Sequence, residues 1–159
     1  MNALFLSLLF LLTSTAFAQD LFIIKKNINP KNVLHYKADV VQCKLKSVTP
    51  YWVMGEVDGH IEDLTTHEKT YFEPKISYNN GTEVDFSMGA LDKMGSKLSD
   101  KIVKVRLENC KPRAILEIRD QETQITEISV VVNMLMVVKS MTITGLDSVG
   151  SRVAIKIEN

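Results

Sequence analysis

Most of the chain after residue 20 alternates apolar and polar residues with a period of two, the pattern of half-buried β-strands. Val103, Val105 and Leu107 alternate with Lys104, Arg106 and Glu108. Val153, Ile155 and Ile157 alternate with Arg152, Lys156 and Glu158, Met141 and Ile143 with Thr142 and Thr144, and Val84, Phe86 and Met88 with Asp85 and Ser87. One predicted strand, 33–45, changes phase: Leu34, Tyr36, Ala38 and Val40 share one parity, whereas Val41, Cys43 and Leu45 share the other. A β-bulge near Val40-Val41 would keep both sets facing the core.

Turn chemistry separates these runs. Asn79-Asn80-Gly81 and Ser148-Val149-Gly150-Ser151 read as turns, and Lys111-Pro112 divides two strand patterns. Asp58-Gly59 suits a type I′ hairpin between Met54–Val57 and His60–Leu64. Asn27, Asn29 and Asn32, with Pro30 among them, suit a turn between strand 21–26 and strand 33–45. Short helices are expected over Glu62–Lys69 and Ala90–Leu98, with Gly95 interrupting the second. About nine or ten strands result, giving an all-β chain built as an antiparallel β-barrel or β-sandwich.

Two stretches exceed what alternation requires. Ile128–Val138 is apolar almost throughout, which fits one or two central strands turning near Asn133-Met134; alternatively, Met134, Met136 and Met141 form an adaptable cavity wall. In 51–57, Tyr51, Val53 and Val57 share one face while Trp52 and Met54 occupy the other. A strand sandwiched between two layers explains this. So does a pocket or partner surface presenting Trp52, to which Tyr71-Phe72 would add. Tyr51, Trp52, Met54 and Tyr71 are therefore the candidate ligand or partner residues.

The N-terminus changes the setting. An apolar run, Ala3–Leu12, precedes Ala16-Phe17-Ala18, the small-x-small pattern of a signal peptidase site. Residues 1–18 read as a signal peptide, and 19–159 as a single all-β domain exported to the periplasm or secreted. The apolar run is shorter than the ~20 residues of a spanning helix, so no transmembrane segment is expected in the mature chain. Lys plus Arg equals Asp plus Glu, 19 of each, which argues against a nucleic-acid partner. In an oxidising compartment the two cysteines, Cys43 and Cys110, are expected to form a disulfide, with two buried thiols as the alternative.

Candidate chemistry is sparse. His60 and His67 lie seven residues apart near Glu62, Asp63 and Glu68, a spacing that matches no common metal-ligand pattern. His35 reads as a packed or surface histidine. No Gly-x-Ser-x-Gly, Cys-x-x-Cys, phosphate loop or dinucleotide fingerprint is present. No cofactor or metal is expected. The leading expectation is a non-enzymatic binding or envelope-associated module for an apolar small molecule or another envelope protein. A metal-dependent enzyme or hydrolase using His60 and His67, and a purely structural module, are the alternatives.

Several segments together resemble an uncharacterised family of exported bacterial all-β domains. These are Leu21-Phe22-Ile23-Ile24, the Asn-rich turn from Lys25, Val33-Leu34-His35-Tyr36, Pro50-Tyr51-Trp52, Leu64…Glu68-Lys69…Tyr71, and a Gly145-Leu146-Asp147 turn. The chain departs from the family at Phe72-Glu73, where a glycine is usual, and in its cysteine pair. The resemblance implies an exported β domain and supplies no catalytic residue.

Overall fold

The computed structural model describes residues 16–55, 58–93, 98 and 100–159. Residues 1–15 of the expected signal peptide, Glu56-Val57 of the expected hairpin and residues 94–97 of the second expected helix lie outside the described residues.

Among the described residues eleven strands form one sheet. In chain order they are β1 (Ala16–Lys26), β2 (Asn32–Val41), β3 (Lys44–Met54), β4 (His60–Glu62), β5 (Lys75–Asn79), β6 (Glu83–Ser87), β7 (Val103–Glu108), β8 (Lys111–Ile118), β9 (Gln121–Val132), β10 (Val138–Leu146) and β11 (Arg152–Glu158). Helices α1 (Thr66–Phe72) and α2 (Gly89–Lys93) are short and lie on either side of β5 and β6 in the chain. The all-β class holds.

The sheet is a curled half-barrel, and it is mixed: β1 runs parallel to β9, while every other pairing is antiparallel. β9 is the junction. Gln124 faces Ile115 of β8 on one edge and Leu146 of β10 on the other, and Ile128 faces Ile24 of β1 and Ile143 of β10. β8 and β1 therefore share the same edge of β9 at different heights. Two arms diverge from that edge, β1-β2-β3-β4 and β8-β7-β6-β5. The inward parity of β9 changes accordingly, from Thr123 and Ile125 to Ile128, Val130 and Val132, where the register with β10 slips between Thr144 and Gly145. A bulge lets one strand serve two arms with apolar residues inward throughout.

The core lies between the arms. Tyr36 of β2 is fully buried, stacks on Phe22 of β1 at 4.5 Å and faces Phe86 of β6 at 6.4 Å. Its hydroxyl donates to the Phe72 carbonyl, so α1 is fastened to the base of the core. Met141, expected as a possible cavity liner, is buried here instead.

At one end the arms are pinned together. Cys43 and Cys110 form a disulfide, and the Leu45 amide donates to the Gly81 carbonyl between the arms at 2.7 Å. Each cysteine occupies the second position of a two-residue hairpin, Gln42-Cys43 or Asn109-Cys110, in which both residues have positive φ. This is the type I′ geometry. The phase change expected as a bulge inside one strand is therefore a chain reversal at Gln42-Cys43. A smaller slip follows it, where Asp39 and Val40 face Ser47 and Leu45.

Other boundaries move for local reasons. α1 starts four residues later than expected, because Thr65 and Glu68 form a capping box there. The observed turn at the β7–β8 junction is Asn109-Cys110, and Lys111-Pro112 opens β8. Gly145 is not in a turn but in β10, where a Cβ would come within 2.1 Å of the Gln124 carbonyl oxygen. The turn starts at Asp147, whose carboxylate accepts from the Val149 and Ser151 amides. Ala16-Phe17-Ala18 form the first rungs of β1, opposite Val41, Val40 and Asp39.

Candidate functional site

At the end away from the disulfide the inner face of the first arm borders a groove. One cross-strand row builds its floor: Ile24 on β1 faces Leu34 on β2, Leu34 faces Trp52 on β3, and Trp52 faces Glu62 on β4. The next row carries Asn32 and Met54. Successive inward residues of β3 thus place Trp52 and Met54 side by side, as period-two alternation requires.

Three connecting segments wall this floor. The β1–β2 turn contributes Ile28 and Asn29, the segment before α1 contributes Asp63 and Thr65, and the β9–β10 loop contributes Met136. The resulting groove holds about 280 Å³. A second, wider depression of about 610 Å³ is lined by Tyr71, Phe72, His67, Val130, Val132 and Val138. The two share Lys26, Trp52, Glu68 and Met136, so the indole stands between them.

The half-buried indole is held on two sides. Its Nε1 donates to Glu68 Oε1 at 3.2 Å, and its ring meets Phe72 edge-on at 6.2 Å. Glu68 Oε2 accepts from the Thr65 amide and hydroxyl, both at 2.8 Å. Partial burial of Glu68 opposes its ionisation. The Thr65 donors, the Trp52 indole and the charge of Lys26 outweigh that, and hold the carboxyl below the usual glutamate range. The ammonium of Lys26 lies over the Phe72 ring at 5.8 Å.

The asparagines divide their work. Asn27 is structural: its side chain accepts from the Val132 amide and donates to the Val132 carbonyl, clamping the β1–β2 turn to the end of β9. Asn29 and Asn32 face the groove. Asn32 Oδ1 is buried there without a hydrogen-bond partner.

Of the sequence candidates, Trp52 and Met54 meet in the first groove and Tyr71 joins Trp52 in the second. Tyr51 does not join them. It points to the opposite face, where its hydroxyl donates to Asp20 Oδ1 at 2.7 Å and its ring contacts His35 at 5.2 Å. Burial and the Asp20 hydrogen bond push its phenol up to about 12. Asp20 also contacts His35 Nδ1 at 3.1 Å, making an exposed Asp-His-Tyr cluster across β1, β2 and β3. His60 faces Glu62 at 3.7 Å, whereas His67 packs edge-on against Tyr71. Among the described residues no group of three or more His, Cys, Asp or Glu converges on a point where a metal ion could be held.

Sequence reasoning missed Lys26, Asn32 and Glu68 as groove residues, whereas Met136, expected as a possible cavity liner, lines both grooves. Only Glu68 carried a local signal, the capping box Thr65-x-x-Glu68. The chain matches no family model, no curated protein and no solved structure. No helix among the described residues is long and apolar enough to cross a membrane.

Proposed function

We propose that this chain is a non-enzymatic binding module of the periplasm or extracellular space, taking an apolar small molecule in the grooves on either side of Trp52. The observation that carries this reading is Trp52, half-buried where two grooves meet beside the buried Ile24 and Leu34. The joined volume is on the scale of small-ligand clefts, which are mostly apolar with a few convergent polar groups. The disulfide fits an oxidising compartment.

The polar groups favour one kind of headgroup. Glu62, Asp63 and Glu68 outnumber Lys26 around the first groove. A ligand whose apolar body lies on Trp52 and whose head donates hydrogen bonds, as an amine or hydroxyl does, suits these carboxylates. Native mass spectrometry of protein isolated from its own compartment tests this. The expected result is a retained apolar amine or alcohol that is absent from Trp52→Ala of equal fold content. Ligand-free protein, or equal retention by the variant, would count against it.

A further inference from the structure

The β9–β10 connection exposes four consecutive apolar residues: Met134 is 96% exposed, Leu135 82%, Met136 58% and Val137 52%. Ile28, 50% exposed on the neighbouring β1–β2 turn, lies against the same tip, and the Asn27–Val132 clamp joins the two turns. Contiguous apolar surface at a loop tip is unusual for a protein that meets only water.

The backbone of this tip shows which environment it suits. The Asn133 side-chain oxygen accepts from the amides of Leu135 and Val137, both at 3.0 Å. The Met136 amide donates to the Asn133 carbonyl at 2.9 Å, and the Asn133 amide donates to the Val137 carbonyl at 3.0 Å. The amides of residues 133, 135, 136 and 137 are thus satisfied within the loop. Satisfying these four amides internally lowers the cost of moving the tip from water towards hydrocarbon, where each unpaired amide costs several kcal/mol. Lys31 and Lys139 are exposed at the bases of the two turns. Side chains of this kind reach the headgroup layer while an apolar tip enters beneath it.

We propose that the tip Met134–Val137, with Ile28, is a finger that docks the protein on a lipid bilayer by inserting its apolar side chains to headgroup depth. This goes beyond the ligand reading and rests on different residues, Met136 and Ile28 excepted. Met136 and Ile28 also wall the first groove, so docking would bring the groove mouth to the bilayer surface.

The test is flotation with phosphatidylethanolamine–phosphatidylglycerol vesicles. It compares protein isolated from cells with the double variant Met134→Ser, Leu135→Ser in the same processed form, with size-exclusion light scattering in parallel. Both substituted side chains are exposed, so the melting temperature should not move. Wild type is expected to float with the vesicles and the variant to bind at least about tenfold more weakly, as withdrawal of two apolar side chains from lipid requires. Wild type that stays with the aqueous fraction, or a variant that floats equally, would overturn the proposal. So would a dimer abolished by the substitutions and indifferent to vesicles, which would assign the tip to self-association.

Discussion

Trp52 and Glu68 are joined by an indole-to-carboxylate hydrogen bond of 3.2 Å that links the groove floor on β3 to the cap of α1. The same carboxylate closes the capping box with Thr65. Replacing it strikes two places together. Glu68→Ala should cost about 0.5–2 kcal/mol in chemical unfolding, the range for a weakened cap, and shift Trp52 emission to the red. The chain contains one tryptophan, so the emission reports this site alone. A red shift without loss of stability would show that the cap is dispensable.

Acid should act through the same carboxylate. The folded-state pKa of Glu68 lies below its unfolded value, so its stabilising contribution is complete above the unfolded pKa and is lost as pH falls through the folded one. Glu127 behaves alike, because hydrogen bonds from Lys25 and Ser129 lower its pKa. Emission of Trp52 followed against pH should therefore change with a midpoint below the ordinary glutamate value. The change should vanish in Glu68→Gln.

Alkali should act on the other face. Burial and Asp20 favour the neutral Tyr51 phenol, so its contribution is complete below the ordinary tyrosine pKa and is lost as pH rises through about 12. A difference titration at the tyrosinate absorption band, wild type minus Tyr51→Phe, should show that midpoint. Asp20→Asn should lower it.

The disulfide joins hairpin tips 67 residues apart in sequence. By the chain-entropy estimate, closing a loop of that length stabilises the fold by roughly 4 kcal/mol. The double variant Cys43→Ser, Cys110→Ser should lose about 2–4 kcal/mol in denaturant unfolding. Its Trp52 emission should be unchanged, because the groove lies at the opposite end of the arms. A loss confined to the groove would contradict that placement.

Gly145 tests the bulge at the junction strand. Its position in β10 brings the backbone against β9, leaving no room for a Cβ beside the Gln124 carbonyl. Gly145→Ala should cost at least ~2 kcal/mol, as forced backbone displacement does in packed regions. Gly150→Ala, where nothing lies within 4 Å but φ is +82°, should cost less.

Much of the fold was legible because alternation is a local signal. Leu34 and Trp52 each sit on an inward parity that the sequence displays, and Asn79-Asn80-Gly81 turns where its residues predict. The reversal at Gln42-Cys43 was not legible, since neither residue announces positive φ and the disulfide that holds the tip comes from Cys110. The parallel pairing of Ile24 with Ile128 was equally hidden: residues a hundred positions apart meet with no local signature. The site divided along the same line. Trp52 and Met54 followed from strand periodicity. Lys26 and Asn32 arrive from the ends of β1 and β2, and Tyr51 faces outward by the same alternation that turns Trp52 inward, meeting Asp20 there.

The most direct test of the groove as a binding site is a titration of Trp52 emission with dodecylamine and with dodecanoate, both below their micelle concentrations. Dodecylamine should shift the emission to the blue in a saturable way, with dodecanoate at least about tenfold weaker because like charges in the groove oppose it. An emission that responds to neither amphiphile, or to both equally and without saturation, would contradict the account.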